Sequence, residues 1–284
     1  MDRGFGDPAT DDVTDPTRLL IDAIAAERGL MLVLSGAGIS VASGIPTFRG
    51  TDDGAVWARD VTEMATLRFF RRDPIRSWQW YRQRFVTALR AKPNAAHFAL
   101  AELERWHRGR GGQSLLVTQN IDTLHEQAGS AELVKVHGSA DRVRCSNPQC
   151  RFGSIETIAV ADVDFSAFDR EPRLDAIPRC PQCHSLMRPH VLWFDEMYTD
   201  HTDYRWSSVM DACDRMGLVL AVGTSFSVGV TDWVGSAAER RSVPMFIVDP
   251  GAAPALAGRR VTHVREKAEE LLPVVAAACA RAMR

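Results

Sequence analysis

Residues 35–50 read SGAGISVASGIPTFRG. They follow LMLVLSG at 30–36, an apolar run of strand length. Gly36 and Gly38 directly after a strand mark a tight turn where backbone can approach a diphosphate, and free N–H groups at the start of a following helix favour an anion. GAGIS lacks the third glycine of the common dinucleotide fingerprint, so alone it is equally a tight turn without a ligand. Arg49, just past Pro46, Thr47 and Phe48, adds a guanidinium suited to clamping a phosphate.

Five further apolar runs share this strand length: SLLVTQN (114–120), ELVKVHG (132–138), HVLWFDE (190–196), LVLAVGTS (218–225) and VPMFIVD (243–249). Most are continuously apolar, as strands covered on both faces of a parallel sheet require. Helical patterns alternate with them at 17–29, 74–91, 94–109 and near the C-terminus. The expected fold is therefore α/β, a Rossmann-like doubly wound parallel sheet. Polar groups cluster just past the C-terminal ends of these runs, at SGAG, TQNID, HG, FDE, GTS and VDPG, which is the ligand edge of such a sheet.

The segment 139–189 breaks the alternation and holds two cysteine pairs, Cys145 with Cys150 and Cys180 with Cys183. C-x4-C and C-x2-C separated by 29 residues have the paired-thiolate form of a structural zinc site with no open position for substrate. We expect a small inserted zinc-binding module, with 17–138 and 190–284 forming the nucleotide-binding domain and the helical part at about 50–110 contributing to the small domain. Residues 1–16, acidic and rich in Pro and Gly, read as a flexible N-terminus. Cys213 and Cys279 fall in helical patterns and read as packing.

With 284 residues the chain can bury a sizeable core, and 34 Lys plus Arg against 36 Asp plus Glu leave a formal charge of -2. No basic field points to nucleic acid or membrane, and no apolar run reaches spanning length. Six cysteines, four of them at ligand spacing, suit a reducing, cytoplasmic setting.

Individual polar residues follow. Gln119, Asn120 and Asp122 offer amides and a carboxylate for ribose hydroxyls or a carboxamide; Asn120 or Asp122 could equally cap a helix running into TLHEQAG. His137, beside a glycine at the ligand edge, is placed to take a proton from a hydroxyl. His125 and His190 read as structural.

Together these elements resemble the sirtuin family of NAD-dependent protein deacylases: GAGIS and GIPTFRG at 36–50, TQNID at 118–122, HG at 137–138, the cysteine pairs, RPHVLWF at 188–194 and GTS at 223–225. The resemblance implies NAD consumed as co-substrate and one structural zinc. It places NAD against Gly36, Ala37, Gly38, Ser40, Pro46, Thr47, Phe48, Arg49, Trp57, Gln119, Asn120, Ile121 and Asp122, with Gly223, Thr224, Ser225 and Asp249 on the adenosine side. His137 would act as general base, with Asn120 and Asp122 completing the catalytic set. An acyl-lysine protein or peptide would enter between the domains, passing its acyl group to ADP-ribose as nicotinamide leaves. No nucleic acid or membrane partner is implied. A monomer suffices, and the oligomeric state is not written in the chain.

Tyr81 and Arg84, three apart in WQWYRQRF, match the Tyr-x-x-Arg pair of the subgroup that removes succinyl, malonyl and glutaryl groups; an Arg on a solvated helix face is the alternative. Phe194 would contact substrate. Asp195 stands where the family usually has Gly in a loop lying along the peptide, and Asp249 where an Asn commonly meets the ribose. Deacetylation without acidic preference, and ADP-ribosyl transfer or NAD hydrolysis in the same pocket, are the competing activities.

Overall fold

The computed structural model describes residues 15–47, 61–226, 229–251 and 260–281. Six parallel strands form the main sheet: β1 (Leu30–Ser35), β2 (Gln113–Thr118), β3 (Leu133–Lys135), β7 (Met216–Val222), β8 (Met245–Val248) and β9 (Val261–Val264). Their order is β3-β2-β1-β7-β8-β9, with every neighbouring pair parallel. The chain turns outward in both directions from the β1/β7 pair, the point where a doubly wound sheet opens a crevice for a nucleotide.

Strand β1 shows why its sequence is unbroken by polar residues. Met31 and Val33 join one core, while Leu30, Leu32 and Leu34 join the other. Strand β7 divides likewise, with Leu218, Leu220 and Val222 on the first face and Met216, Val219 and Ala221 on the second. Alternate side chains point to opposite faces, and helices cover both. The first core takes residues from helices Pro16–Ala26, Ala95–Gly109 and Ala268–Arg281; the second takes them from Trp206–Arg215 and Gly229–Arg240. Cys279 and Cys213 are buried in these two cores, respectively.

A second sheet is antiparallel: β5 (Ile158–Ala159), β4 (Gly138–Cys145) and β6 (Met187–Val191), in that order. This corrects one strand assignment. The apolar run at 190–196, read as part of the parallel sheet, begins as the end of β6, whose Arg188 and Pro189 pair with Arg144 and Val143 of β4. Val191 of β6 and the Trp193 that follows it are buried in the third core, so the run looks like a buried parallel strand although its neighbour runs antiparallel. Strand β9 was not foreseen, because VTHV is short and half-exposed.

The third core packs this sheet against Trp78, Tyr81 and Phe85 of helix Pro74–Arg90. Helix Ala95–Gly109, placed by the sequence within the helical part of the small domain, instead lies on the main sheet beside the C-terminal helix. Its apolar positions Ala96, Ala99, Leu100 and Leu103 recur at three and four residues, one face of a helix directed at that core. Among the described residues, no helix is long and apolar enough to cross a membrane.

Candidate functional site

Three loops meet at the β1/β7 crevice. Residues 37–43 form a 3-10 helix after β1, Gln119–Asp122 follow β2, and Gly223–Ser225 follow β7. The first and third touch backbone to backbone. A Cβ on Gly38 would lie 2.7 Å from the Cα of Gly223, and one on Gly223 would lie 2.4 Å from the amide nitrogen of Ile39. Gly223 also has φ +58, in the left-handed region that favours glycine.

The amides of Gly36 and Gly38 are taken up inside the protein. Gly36 donates to the carbonyl of Val222 (3.0 Å) and Gly38 to that of Gly223 (2.9 Å). The physical reason is the close approach itself: the two loops meet at glycines and join through their own backbone groups, at the junction that forms the candidate nucleotide cradle.

The β2 loop ties the site together. Asn120 donates through Nδ2 to the Gly36 carbonyl and to Ser40 Oγ, both at 3.1 Å. Ser40 Oγ donates to Asp122 Oδ2 at 2.9 Å, while Asp122 Oδ1 accepts the Leu124 amide at 3.1 Å. One Asp122 oxygen thus holds the start of helix Leu124–Ala128 and the other holds Ser40. Gln119 reaches across to Thr224 Oγ1 at 3.0 Å. Ile121 turns the other way and packs against the third core, so this one loop spans both layers.

His137 sits where the chain passes from β3 of the main sheet into β4 of the second. Its Nδ1 donates to the carbonyl of Gln119 at 2.8 Å. A carbonyl can only accept, so Nδ1 carries the hydrogen and Nε2 keeps its lone pair. Burial lowers the His137 pKa from its ordinary value and the Gln119 carbonyl pulls it up. The neutral imidazole thus has one basic nitrogen, Nε2, while Nδ1 anchors the ring to the loop that carries Asn120 and Asp122.

Several supporting residues escaped the sequence. Ser35 Oγ bonds Thr118 Oγ1 and His125 Nε2, each at 2.9 Å, beneath the crevice. His125, read as structural, is buried there and burial holds it neutral. Asn94 caps helix Ala95–Gly109 and also donates to the carbonyl of Ile39 (2.8 Å) and to Ser43 Oγ (3.0 Å). An Asn directly before an apolar helical pattern is a cap signal; its grip on the 3-10 helix had none.

Of the residues expected on the adenosine side, Thr224 is buried and Ser225 exposed, while Asp249 directly follows β8 and accepts the Gly251 amide at 2.8 Å. Pro46 is exposed and Thr47 half-buried. Phe48, Arg49 and Trp57, expected at the nucleotide, lie outside the described residues, as do residues 1–14.

Across the crevice, Tyr81 is buried and its hydroxyl accepts the indole N–H of Trp193 at 2.7 Å. Arg84 stacks over Trp80, 3.9 Å from the ring centroid, and donates to the Trp80 carbonyl at 3.2 Å. Phe194 is exposed, with its amide on the Ala65 carbonyl. Asp195 turns its carboxylate to helix Leu67–Arg72, accepting the amides of Leu67 (2.7 Å) and Arg68 (3.0 Å). We expect Asp195→Gly to destabilise the fold by about 1 kcal/mol, the worth of a helix cap, read as a lowered denaturation midpoint at unchanged m-value.

The four cysteines converge. Their Sγ atoms all lie within 4.8 Å of one another, Cys145 to Cys183 at 3.4 Å and Cys150 to Cys180 at 3.6 Å. A disulfide requires about 2.05 Å, whereas four sulfurs about 2.3 Å from one central ion stand about 3.8 Å apart. The donor set therefore fits a tetrahedral metal. The hydroxyl and amide of Ser185 hold the Cys183 thiol down at about 6, favouring the thiolate. The Asn147 amide also donates to Cys145 Sγ at 3.3 Å.

The fold and these loops define a nucleotide-binding α/β protein carrying a four-cysteine metal module. Residues 36–230 match the Sir2 family, and the chain belongs to that family. A relative from Pyrococcus furiosus, named NAD-dependent protein deacylase, is 38% identical over 206 residues, covering 72% of this chain and 75% of its own. A solved Sir2 homologue–NAD complex is 32% identical with a TM-score of 0.76, covering 94% of this chain and 95% of that one. A solved structure of Sir2 bound to acetylated peptide is 25% identical with a TM-score of 0.71, covering 91% and 96%.

Proposed function

We propose that the protein is an NAD-dependent protein-lysine deacylase. The observation that carries this reading is His137, whose Nδ1–H is fixed on the Gln119 carbonyl so that Nε2 is left basic, with Asn120 and Asp122 following Gln119 in the same loop. NAD supplies an electrophilic anomeric carbon with nicotinamide as leaving group. The chain's own part is to seat the nucleotide over the Gly36–Gly38 and Gly223 junction and to hold a ribose hydroxyl near His137. Asn120, Ser40 and Asp122 form a prebuilt polar wall, which lowers the reorganisation needed at reaction. His137 Nε2 accepts the hydroxyl proton as that oxygen becomes the acyl acceptor.

The relatives named above are a deacylase and proteins solved with NAD and with acetylated peptide, which supports peptide-borne acyl-lysine as the substrate here. Incubating a panel of acyl-lysine peptides with NAD and weighing the nucleotide product by mass spectrometry tests the reading. O-acyl-ADP-ribose is the expected product. Free ADP-ribose, or ADP-ribose attached to protein, would replace it with hydrolysis or transfer.

The finer proposal is a preference for acidic acyl groups. The Tyr81 oxygen accepts the Trp193 indole, which leaves the phenolic hydrogen available to a carboxylate, and Arg84 lies one turn along the same helix. We expect succinyl-lysine peptides to show higher kcat/KM than acetyl-lysine peptides, with Arg84→Met narrowing or reversing the difference. Equal rates on both, untouched by the substitution, would remove the acidic preference and leave the deacylase reading standing. The zinc, held by Cys145, Cys150, Cys180 and Cys183, is structural in this proposal.

A further inference from the structure

The hydroxyl of Tyr198 lies 3.4 Å from His137 Nε2, the nitrogen assigned above as the base. That hydroxyl also accepts the amide of Val230 at 3.2 Å, the second residue of helix Gly229–Arg240. With its oxygen taken by an N–H, the phenol directs its own hydrogen at the Nε2 lone pair. The two rings are nearly parallel, 17° apart with centroids at 5.9 Å, and Trp206 backs the phenol at 4.3 Å and 12°. Tyr198 is thus braced on one side by a stacked indole and at its tip by a helix amide.

We propose that Tyr198 is a positioning residue for His137: it fixes the imidazole plane and occupies the Nε2 lone pair in the unliganded site until a ribose hydroxyl takes its place. The proposal rests on His137 being the general base. The phenol keeps its proton throughout, so it competes with the ribose hydroxyl for one acceptor and takes no part in bond making. Its second effect is on protonation. A donor on Nε2 stabilises the neutral imidazole, since the imidazolium has no lone pair to accept it.

The polar groups facing this pair come from two elements. The Gln119 carbonyl from the loop after β2 meets Nδ1, while Val230 and the carboxylate of Asp232 from helix Gly229–Arg240 face the phenol, with Asp232 favouring its protonated form. Burial favours the neutral imidazole and the protonated phenol alike.

Tyr198→Phe keeps the stacked ring and removes only the hydroxyl; Tyr198→Leu removes both. The His137 ring is titrated by NMR in the ligand-free protein, and kcat/KM for peptide deacylation is measured against pH. In Tyr198→Phe the His137 pKa is expected to rise by about half a unit, the scale of one weak hydrogen bond. The acid limb of kcat/KM should move up by the same amount, with the alkaline plateau kept within about threefold. Tyr198→Leu should raise the pKa at least as far and lower the plateau further, because the plane is no longer fixed. An unmoved His137 titration in Tyr198→Phe overturns the proposal, whatever happens to the rate. The titration needs no turnover, so failure of this proposal is told apart from failure of the deacylase reading, which the peptide assay tests.

Discussion

Replacing His137 with alanine is expected to lower kcat/KM for acyl-lysine turnover by about 10²–10⁴-fold, the usual contribution of a positioned general base. The nucleotide should still bind. The cradle at Gly36, Gly38 and Gly223 and the Asn120–Ser40–Asp122 chain are held by hydrogen bonds in which the imidazole takes no part. A comparable loss of NAD affinity, measured by calorimetry, would make His137 a binding group. In the unaltered protein the rate should fall as pH drops through the His137 pKa, since the proton then occupies the basic nitrogen. Burial lowers that pKa from its ordinary value, so the acid limb belongs below about pH 6.5, the reference for an exposed imidazole.

How far the sequence carries to this site depends on the range of the interaction. The β1 and β7 runs are legible because burial on both faces leaves no room for polar residues, and each strand states that condition within its own few residues. Asn120, Asp122 and His137 are legible for a related reason: they stand just past strand ends, where the fold class alone predicts a ligand. What the sequence hides is pairing across the chain. Ser35 meets His125 from 90 residues away, Asn94 holds Ser43 from 51, and Tyr198 reaches His137 from 61, and no local pattern encodes such contacts.

One misreading has the same origin. Whether 187–191 joins a parallel or an antiparallel sheet is decided by its neighbour, β4, and an apolar end looks alike in either. The acceptors of the glycine amides after β1, the carbonyls of Val222 and Gly223, lie some 185 residues further along and are equally invisible in the local sequence. Asp195 shows the same limit. In sequence it is a carboxylate in a substrate loop, and in space it caps a helix that begins 128 residues earlier.

Metal removal should have the other large effect, confined to one layer. A structural zinc held by four thiolates is worth about 10–16 kcal/mol in small finger peptides, more than most domains have in total. The ligands are part of the third core: Cys145, Cys150 and Cys180 are buried in it beside Phe165, Phe168, Ile177 and Met187. We therefore expect Cys180→Ala, or a strong chelator, to abolish zinc binding and to unfold the segment around β4, β5 and β6. Hydrogen exchange should show lost protection there while β1 and β7, whose two cores contain none of the four ligands, stay protected. Activity should disappear with the module even though the nucleotide cradle survives. His137 connects directly to β4 through Gly138, and the Ile121 carbonyl accepts the Ala140 amide at 2.8 Å. Loosening β4 therefore frees the base and the polar loop together. Full activity and unchanged exchange in a zinc-free protein would show that the cysteines are dispensable packing, and that the layer stands on its apolar residues alone.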